Sequence, residues 1–459
     1  MGAFVGIDDT RVLLRELDRR YPLIARAEGV WLYDAEGNAY LDGISGGAMV
    51  TSLGYGVREI IAAAEAQAGE VPYLYNQQFT TPAQELLADE LLDVAPEGFT
   101  RVHFVSGGSE GNEMAIRLAR AYHVERGEPE RWRIVSPAQA YHGPTVLTLG
   151  LTGRPQLQRP FDPYIVPQLH IPPSTWRFDP SGEAALAELD RVLAEAGPES
   201  VSLFYCEPVS AAALPAYTPP ERFWHGLAER RERYGFLIGL DEVVTGIGRT
   251  GEWFAAQRLP FEPDIVTTAK GLGAGYAPIG AVLCRDHVFE AIAAGSRAFE
   301  HGHTWDGAPL PCAVGAAVLA YLKDHGLVEH VRERGPALRE ELATALAGCE
   351  IVREVRGVGY LLGVEYVDPR DGESFLPTEL GVARRIDNEA LRQGLTVYST
   401  QPTADGYTGD QSVLAPAFVM TEDDLGRLIE RMAGAVRKVE NDVKRELAGA
   451  STPVGAGRS

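Results

Sequence analysis

Lys270 lies in Asp264-Ile-Val-Thr-Thr-Ala-Lys270-Gly-Leu-Gly-Ala-Gly-Tyr-Ala-Pro-Ile-Gly280, apolar before the lysine and glycine-rich after it. The chain has 459 residues and only four lysines: Lys270, Lys323, Lys438 and Lys444. The other three stand in charged stretches such as Arg437-Lys438-Val439-Glu440, which read as solvated helix faces. No acid lies within five residues of Lys270. Burial lowers an amine's pKa and makes it a nucleophile able to form a Schiff base. The competing reading is a buried stem whose amine reaches water. Two further windows carry chemistry. Phe236-Leu-Ile-Gly-Leu-Asp241 is an apolar strand ending in an acid, which is either half of a structural ion pair or a working carboxylate. Ser106-Gly-Gly-Ser-Glu-Gly-Asn-Glu113 follows the strand-like Val102-His-Phe-Val and precedes a helical pattern at Ala115, Leu118, Ala119 and Tyr122. A glycine-rich turn feeding a helix N-terminus suits a phosphate, although a tight turn with an N-cap also explains it.

These residues need elements that bring them to one place. Short apolar runs at Val102–Val105, Arg133–Val135, Val146–Leu149, Val201–Cys206, Phe236–Leu240, Ile265–Thr268 and Ala281–Cys284 alternate with helical patterns. Most are apolar on both faces, as in a parallel sheet covered by helices. In such a sheet ligands bind beyond the carboxyl ends of the strands, where Ser106, Asp241 and Lys270 fall. Gly29–Asp42 reads as a hairpin around Glu-Gly-Asn, and residues 11–20 as a short amphipathic helix. After about residue 330 helices near 331–347 and 421–448 flank strand-like pieces at Gly359–Val364 and Leu395–Tyr398. The expected organisation is a large α/β domain over 66–330. A smaller α+β domain is built from 1–65 and 331–459, with a loose tail from Ser451.

Composition narrows the field. A net charge of −22 opposes nucleic acid or an anionic membrane surface as partner. No apolar run is long enough to span a bilayer, and the first six residues lack the basic start and apolar core of a signal peptide. Four cysteines without a C-x-x-C spacing suit a reducing cytoplasm and make a zinc site a weak reading.

A buried amine, a carboxylate, a phosphate cup and the aromatic of Tyr141-His142-Gly143 match the needs of pyridoxal 5'-phosphate (PLP). With these motifs in place the chain resembles the class III (omega) aminotransferases of PLP fold type I, in particular the amine/ω-amino acid:pyruvate transaminases. The resemblance runs from Trp31-Leu-Tyr-Asp-Ala-Glu-Gly-Asn to Ala415-Pro-Ala-Phe-Val-Met-Thr421. It includes Glu207-Pro-Val, Asp241-Glu-Val-Val-Thr-Gly-Ile-Gly-Arg-Thr-Gly, Ala269-Lys-Gly-Leu-Gly and Gly302-His-Thr-Trp. It implies a mostly parallel seven-stranded sheet. It also implies Lys270 as the Schiff-base lysine, Asp241 at the pyridine nitrogen, Tyr141 and Val243 on the two ring faces, and Gly108 and Ser109 at the phosphate. Thr304 matches a residue reaching the neighbouring subunit's cofactor, so a homodimer or dimer of dimers with shared sites is expected. Met49, Tyr73, Leu74, Tyr75 and Trp305 align with pocket-lining regions, or with packing at the dimer interface.

The departures bear on substrate. Glutamate-using members carry a gate, often a second Glu, where this chain has Ala212, and a mobile arginine shortly before the Gly-Asp near the C-terminus. Val397-Tyr-Ser-Thr-Gln-Pro-Thr-Ala-Asp-Gly-Tyr-Thr-Gly-Asp410 contains no arginine; the position is Tyr398 or Thr408. The expectation is a ping-pong transaminase taking a primary amine or ω-amino acid as donor and pyruvate as acceptor. An aminomutase or lyase on the same scaffold is the alternative. An oxidoreductase reading of Gly271-Leu-Gly-Ala-Gly275 fits poorly with the lysine before it and Tyr276 after it. A binding protein on this scaffold would be expected to lose Lys270 or Asp241.

Overall fold

The computed structural model describes residues 4–402 and 408–450; the expected loose tail from Ser451 lies outside them. Its central sheet has seven strands: β1 (Phe99–Val105), β2 (Arg133–Pro137), β3 (Leu169–Ile171), β4 (Val201–Cys206), β5 (Leu237–Asp241), β6 (Ile265–Thr268) and β7 (Gly280–Arg285). They are ordered β1-β7-β6-β5-β4-β2-β3. Neighbours from β3 to β6 run parallel, and β7 is antiparallel to both β6 and β1. β4, β5 and β6 are buried along their whole length, as their unbroken apolar runs require. The register pairs Asp241 with Thr267, so the carboxyl ends of β5 and β6 lie side by side.

A second sheet joins the two ends of the chain. Trp31–Asp34 and Ala39–Asp42 form the expected hairpin, and Leu395 pairs in parallel with Leu41 on its edge. A third sheet, antiparallel throughout, contains Val352–Val358, Leu361–Tyr366, Gln411–Leu414 and Tyr398–Thr400. The helices Leu327–Leu346 and Glu422–Ala450 bury Val331, Leu338, Leu342, Leu428, Met432 and Val436 in the core beside these sheets. No helix among the described residues is long and apolar enough to cross a membrane.

Two sequence expectations fail. Residues 11–20 form no helix. Val12 and Leu13, on the supposed apolar stripe, are 70% and 91% exposed. A short helix with no surface to pack its stripe against is marginal in water. Val146–Leu149 is a helical turn instead of a strand. Four apolar residues do not distinguish strand from helix by periodicity, and Val146 points to solvent. The true seventh strand, β3, is three residues long between Pro167 and Pro172-Pro173. Proline is tolerated there because the strand is at the sheet edge.

Candidate active site

A cavity of about 270 Å³ opens beyond the carboxyl ends of β5 and β6. It is lined by Gly108, Ser109, Tyr141, Asp241, Val243 and Lys270, six residues that the sequence reading singled out from four separate windows. Each arrives for a local reason. Lys270 follows β6 in a single turn of 3-10 helix, with φ at 43°, a left-handed conformation uncommon for a side-chain-bearing residue. The turn is held by the Ala274 N–H donating to the Lys270 carbonyl at 3.0 Å. The side chain is half-buried by surface, since its free face is the cavity. Burial pushes its amine below the usual lysine range, opposed by the charges of Asp241 and Glu207.

Asp241 ends β5 and is buried. Its Oδ2 accepts the Asn112 Nδ2–H at 2.7 Å and faces His142 Nδ1 at 2.8 Å; its Oδ1 accepts the Val243 N–H at 3.0 Å. These contacts fix the position of the carboxylate. Asn112 also donates to the His142 carbonyl at 2.8 Å, and its Oδ1 accepts the Tyr205 hydroxyl at 2.6 Å. Among the described residues, His142 Nε2 in the cavity lining has no hydrogen-bond partner, and neither has the buried Thr268 Oγ1 two residues before Lys270.

The helix Gly108–Glu125 starts at the cavity with Gly107 as N-cap and no side-chain cap. Its first N–H groups are therefore available to an anion. Gly108 cannot carry a side chain, because a Cβ there would come within 2.8 Å of Val243. Tyr141 lies opposite, its N–H donating to Glu207 Oε2 at 3.2 Å. Glu207 also accepts the Ala211 N–H at 3.2 Å, and burial pushes its carboxyl up to about 7. Chemically the set offers a reactive amine, a fixed carboxylate, an aromatic wall and an anion cradle within one cavity.

The structure leaves other expected residues elsewhere. Met49 is buried with Ile44, Val209 and Val413, behind the wall that Val50 and Val209 present. Thr304 and Tyr75 are exposed. Trp305, 57% exposed, lines a neighbouring cavity of about 370 Å³ that shares Ser106, Ala277, Pro278 and Ile279 with the first. Tyr73 packs on Trp305 with ring centroids 5.0 Å apart and donates to the Thr304 carbonyl at 2.9 Å. Asn112, His142 and Glu207 carried no role in the sequence reading. Glu207 had a readable signal, an acid just past an apolar strand, the same as Asp241. Asn112 and His142 had none, because their meaning lies in a carboxylate 129 and 99 residues away.

Comparison with known proteins matches residues 15–436 to the aminotransferase class-III family model. The chain is 34% identical over 438 residues to the uncharacterized aminotransferase YodT of Bacillus subtilis, covering 94% of this chain and 98% of that one. It is 33% identical over 417 residues to a putrescine–pyruvate aminotransferase of Pseudomonas aeruginosa, covering 89% and 88%. A transaminase structure from the marine bacterium Virgibacillus superposes with a TM-score of 0.86 at 30% identity, over 92% of this chain and 94% of the other. An (S)-enantioselective omega-transaminase from Thermomicrobium roseum does so at 0.83 and 34%, over 91% and 92%.

Proposed function

The chain belongs to the class III aminotransferases, and on that footing we propose that it moves an amino group from a primary amine or ω-amino acid to pyruvate by a ping-pong cycle. The family depends on PLP, and the residues of the cavity fit that group. A single lysine lies in it, a buried carboxylate stands beyond the lysine, and the uncapped helix start at Gly107 suits its phosphate. When bound, PLP supplies an electrophilic carbonyl and a sink for carbanion electrons. In this reading the Lys270 amine, already below its usual pKa, is the covalent anchor and then carries the proton to and from the substrate carbon. Asp241, held by Asn112, His142 and the Val243 N–H, is the acid that would face the ring nitrogen. Tyr141 and Val243 wall the ring on either side, and the N–H groups at Gly108 and Ser109 take the phosphate.

The observation that carries the reading is the juxtaposition of Lys270 and Asp241 in one cavity at the β5–β6 edge. Pyruvate is supported by the apolar part of the cavity lining. Val50, Val209, Ala212 and Val244 form it, and residues 397–410 contain no arginine. A diacid would set its second carboxylate against that surface, and an unpaired buried charge costs several kcal/mol. With one shared amine donor, kcat/KM for pyruvate should exceed that for 2-oxoglutarate by roughly a hundredfold or more. A preference for 2-oxoglutarate would remove the pyruvate assignment. Lys270→Ala should lose both covalent cofactor and multiple-turnover transamination; a variant that keeps turnover removes the whole reading.

The same proposal includes a homodimer, or a dimer of dimers, in which Thr304 reaches the neighbouring protomer's site. Tyr75, Phe79, Leu86 and Trp305 are all more than 40% exposed, which supports a covered face in the assembly. A fully active monomer in light scattering would contradict it. The small domain is assigned to 1–65 and 331–459 around 66–330, and the free cysteines support a cytoplasmic setting.

A further inference from the structure

We propose that Arg154 is the residue that holds the substrate carboxylate, taking the place of the arginine missing from residues 397–410. This rests on the transaminase reading above and names the anion subsite of that cavity.

The backbone delivering Arg154 is tied to the cavity wall. The His142 N–H donates to Thr152 Oγ1 at 3.1 Å, and the Gly153 N–H donates to the Ala140 carbonyl at 3.0 Å. Gly153 lies so close to Ala138 that a Cβ would fall 1.5 Å from its carbonyl oxygen, so only glycine fits. Arg154 therefore leaves the chain directly behind the 140–143 segment that presents Tyr141. Its Nη1 donates to the Ala212 carbonyl at 3.5 Å, and Ala212 lines the Lys270 cavity. The charges of Arg154 and Arg15 also reach the Tyr141 phenol, where they oppose the rise that burial causes.

Arg154 is half-buried, yet no described residue gives it an acidic partner. Arg131, Arg230 and Arg356, also partly buried, pair with Glu128, Asp190 and Glu365, whereas Arg120, Arg133 and Arg431 donate to the carbonyls of Arg131, Ala196 and Gly394. A guanidinium that reaches the cavity wall through one long hydrogen bond to Ala212 has donors left for a bidentate carboxylate. Glu207, an acid on the same wall, spends its oxygens on the Tyr141 and Ala211 N–H groups. Position 212 matters for the same reason. A carboxylate side chain there would stand beside Arg154 and neutralise it, whereas alanine leaves it free for substrate. Pyruvate and ω-amino acids both bring the carboxylate that this fork accepts, and a simple amine does not need it.

The test uses the holoenzyme with one amine donor and two acceptors, pyruvate and the uncharged butyraldehyde. In Arg154→Gln the pyruvate-to-aldehyde ratio of kcat/KM should fall about 10- to 100-fold, mainly through the KM for pyruvate, the range expected for a lost charged hydrogen-bonded contact. Arg154→Lys should restore part of it, and Ala212→Glu should lower the ratio as Arg154→Gln does, with little further loss in the double variant. Independently, calorimetric titration with the unreactive 3-phenylpropionate should show at least about tenfold weaker binding in Arg154→Gln. A folded Arg154→Gln with an unchanged ratio and unchanged 3-phenylpropionate affinity overturns the proposal while leaving the transaminase intact. If the wild type forms no alanine from pyruvate, the pyruvate assignment falls, and the titration alone decides whether Arg154 binds carboxylates.

Discussion

Asp241 and Glu242 are consecutive, both carboxylates and both buried, yet they serve opposite sides of the same strand end. Asp241 faces the cavity and is held by Asn112 from the Gly108–Glu125 helix, His142 from the loop after β2, and the Val243 N–H. Glu242 faces the loop behind. It accepts the Ala255 and Ala256 N–H groups at 2.7 Å each and the Thr245 hydroxyl at 2.8 Å. Burial alone therefore does not mark the working acid. Partners do: side chains converging from distant segments on one side, backbone amides of one nearby loop on the other. The first arrangement fixes a charge in front of an open space, and the second pins a loop.

The largest effect expected from breaking this contrast is on turnover. Asp241→Asn keeps the shape but removes the charge, and kcat should fall roughly a hundredfold or more. Its thermal melting should move little, because Asn can keep most of the surrounding contacts. Near wild-type turnover would place the essential acid elsewhere.

Glu242→Gln should do the reverse, lowering stability by about 1–3 kcal/mol through a mismatched buried amide while sparing kcat. The pH dependence sharpens this. Burial pushes the Glu242 carboxyl up to about 7 from an ordinary 4.5. The folded state then holds a proton that the unfolded state has lost. The stability this group contributes is complete below pH 4.5 and disappears as pH rises through 7, a change approaching about 3 kcal/mol. Glutamine does not titrate, so the variant's deficit in melting temperature should be greatest near pH 5 and shrink toward pH 8. A deficit that grows with pH would mean that Glu242 is ionised throughout.

The lysines repeat the contrast between cavity and surface. Burial lowers Lys270, whereas ion pairs raise Lys444 through Glu440 and Glu350. Lys323 is lowered by burial but raised further by Glu90 and Asp93. In cofactor-free protein at pH 8 a small acylating reagent should therefore modify Lys270 severalfold faster than Lys323 or Lys444, read by peptide mapping, and PLP should protect it. Equal rates at all three would remove the case for a perturbed amine.

Lys270 and Asp241 were legible in the sequence because each breaks a local pattern: a lysine without acids, and an acid ending an apolar strand. The covered sheet was legible in β4, β5 and β6 because burial on both faces leaves unbroken apolar runs. β3 was not, since three residues between prolines carry no periodicity. The stripe at Val12, Leu13 and Leu17 misled because periodicity records what a helix would bury, and nothing here covers it. Arg154 had no sequence signal at all. Its interest comes from a missing partner, and only the fold shows which acids are out of reach.

The smallest effect tests how deep the cavity network runs. Tyr205, on β4, is fully buried, with its ring 5.0 Å from that of His142. Its hydroxyl bonds Asn112 Oδ1 at 2.6 Å and Thr267 Oγ1 at 2.9 Å, and burial pushes its pKa well up, so it stays a neutral donor. Tyr205→Phe removes one donor from Asn112 but not the amide's own two bonds, to Asp241 Oδ2 and the His142 carbonyl. Those two acceptors already fix the plane of the amide. The variant should therefore lose about 1 kcal/mol of stability, the value of one buried neutral hydrogen bond, and keep kcat within about fivefold. Urea unfolding and steady-state kinetics on the same preparation separate the two. A loss of turnover beyond about tenfold with unchanged stability would show that the position of Asp241 is set one layer deeper, from β4. The contrast with Glu242 would then be between a network that crosses the sheet and a loop anchor that does not.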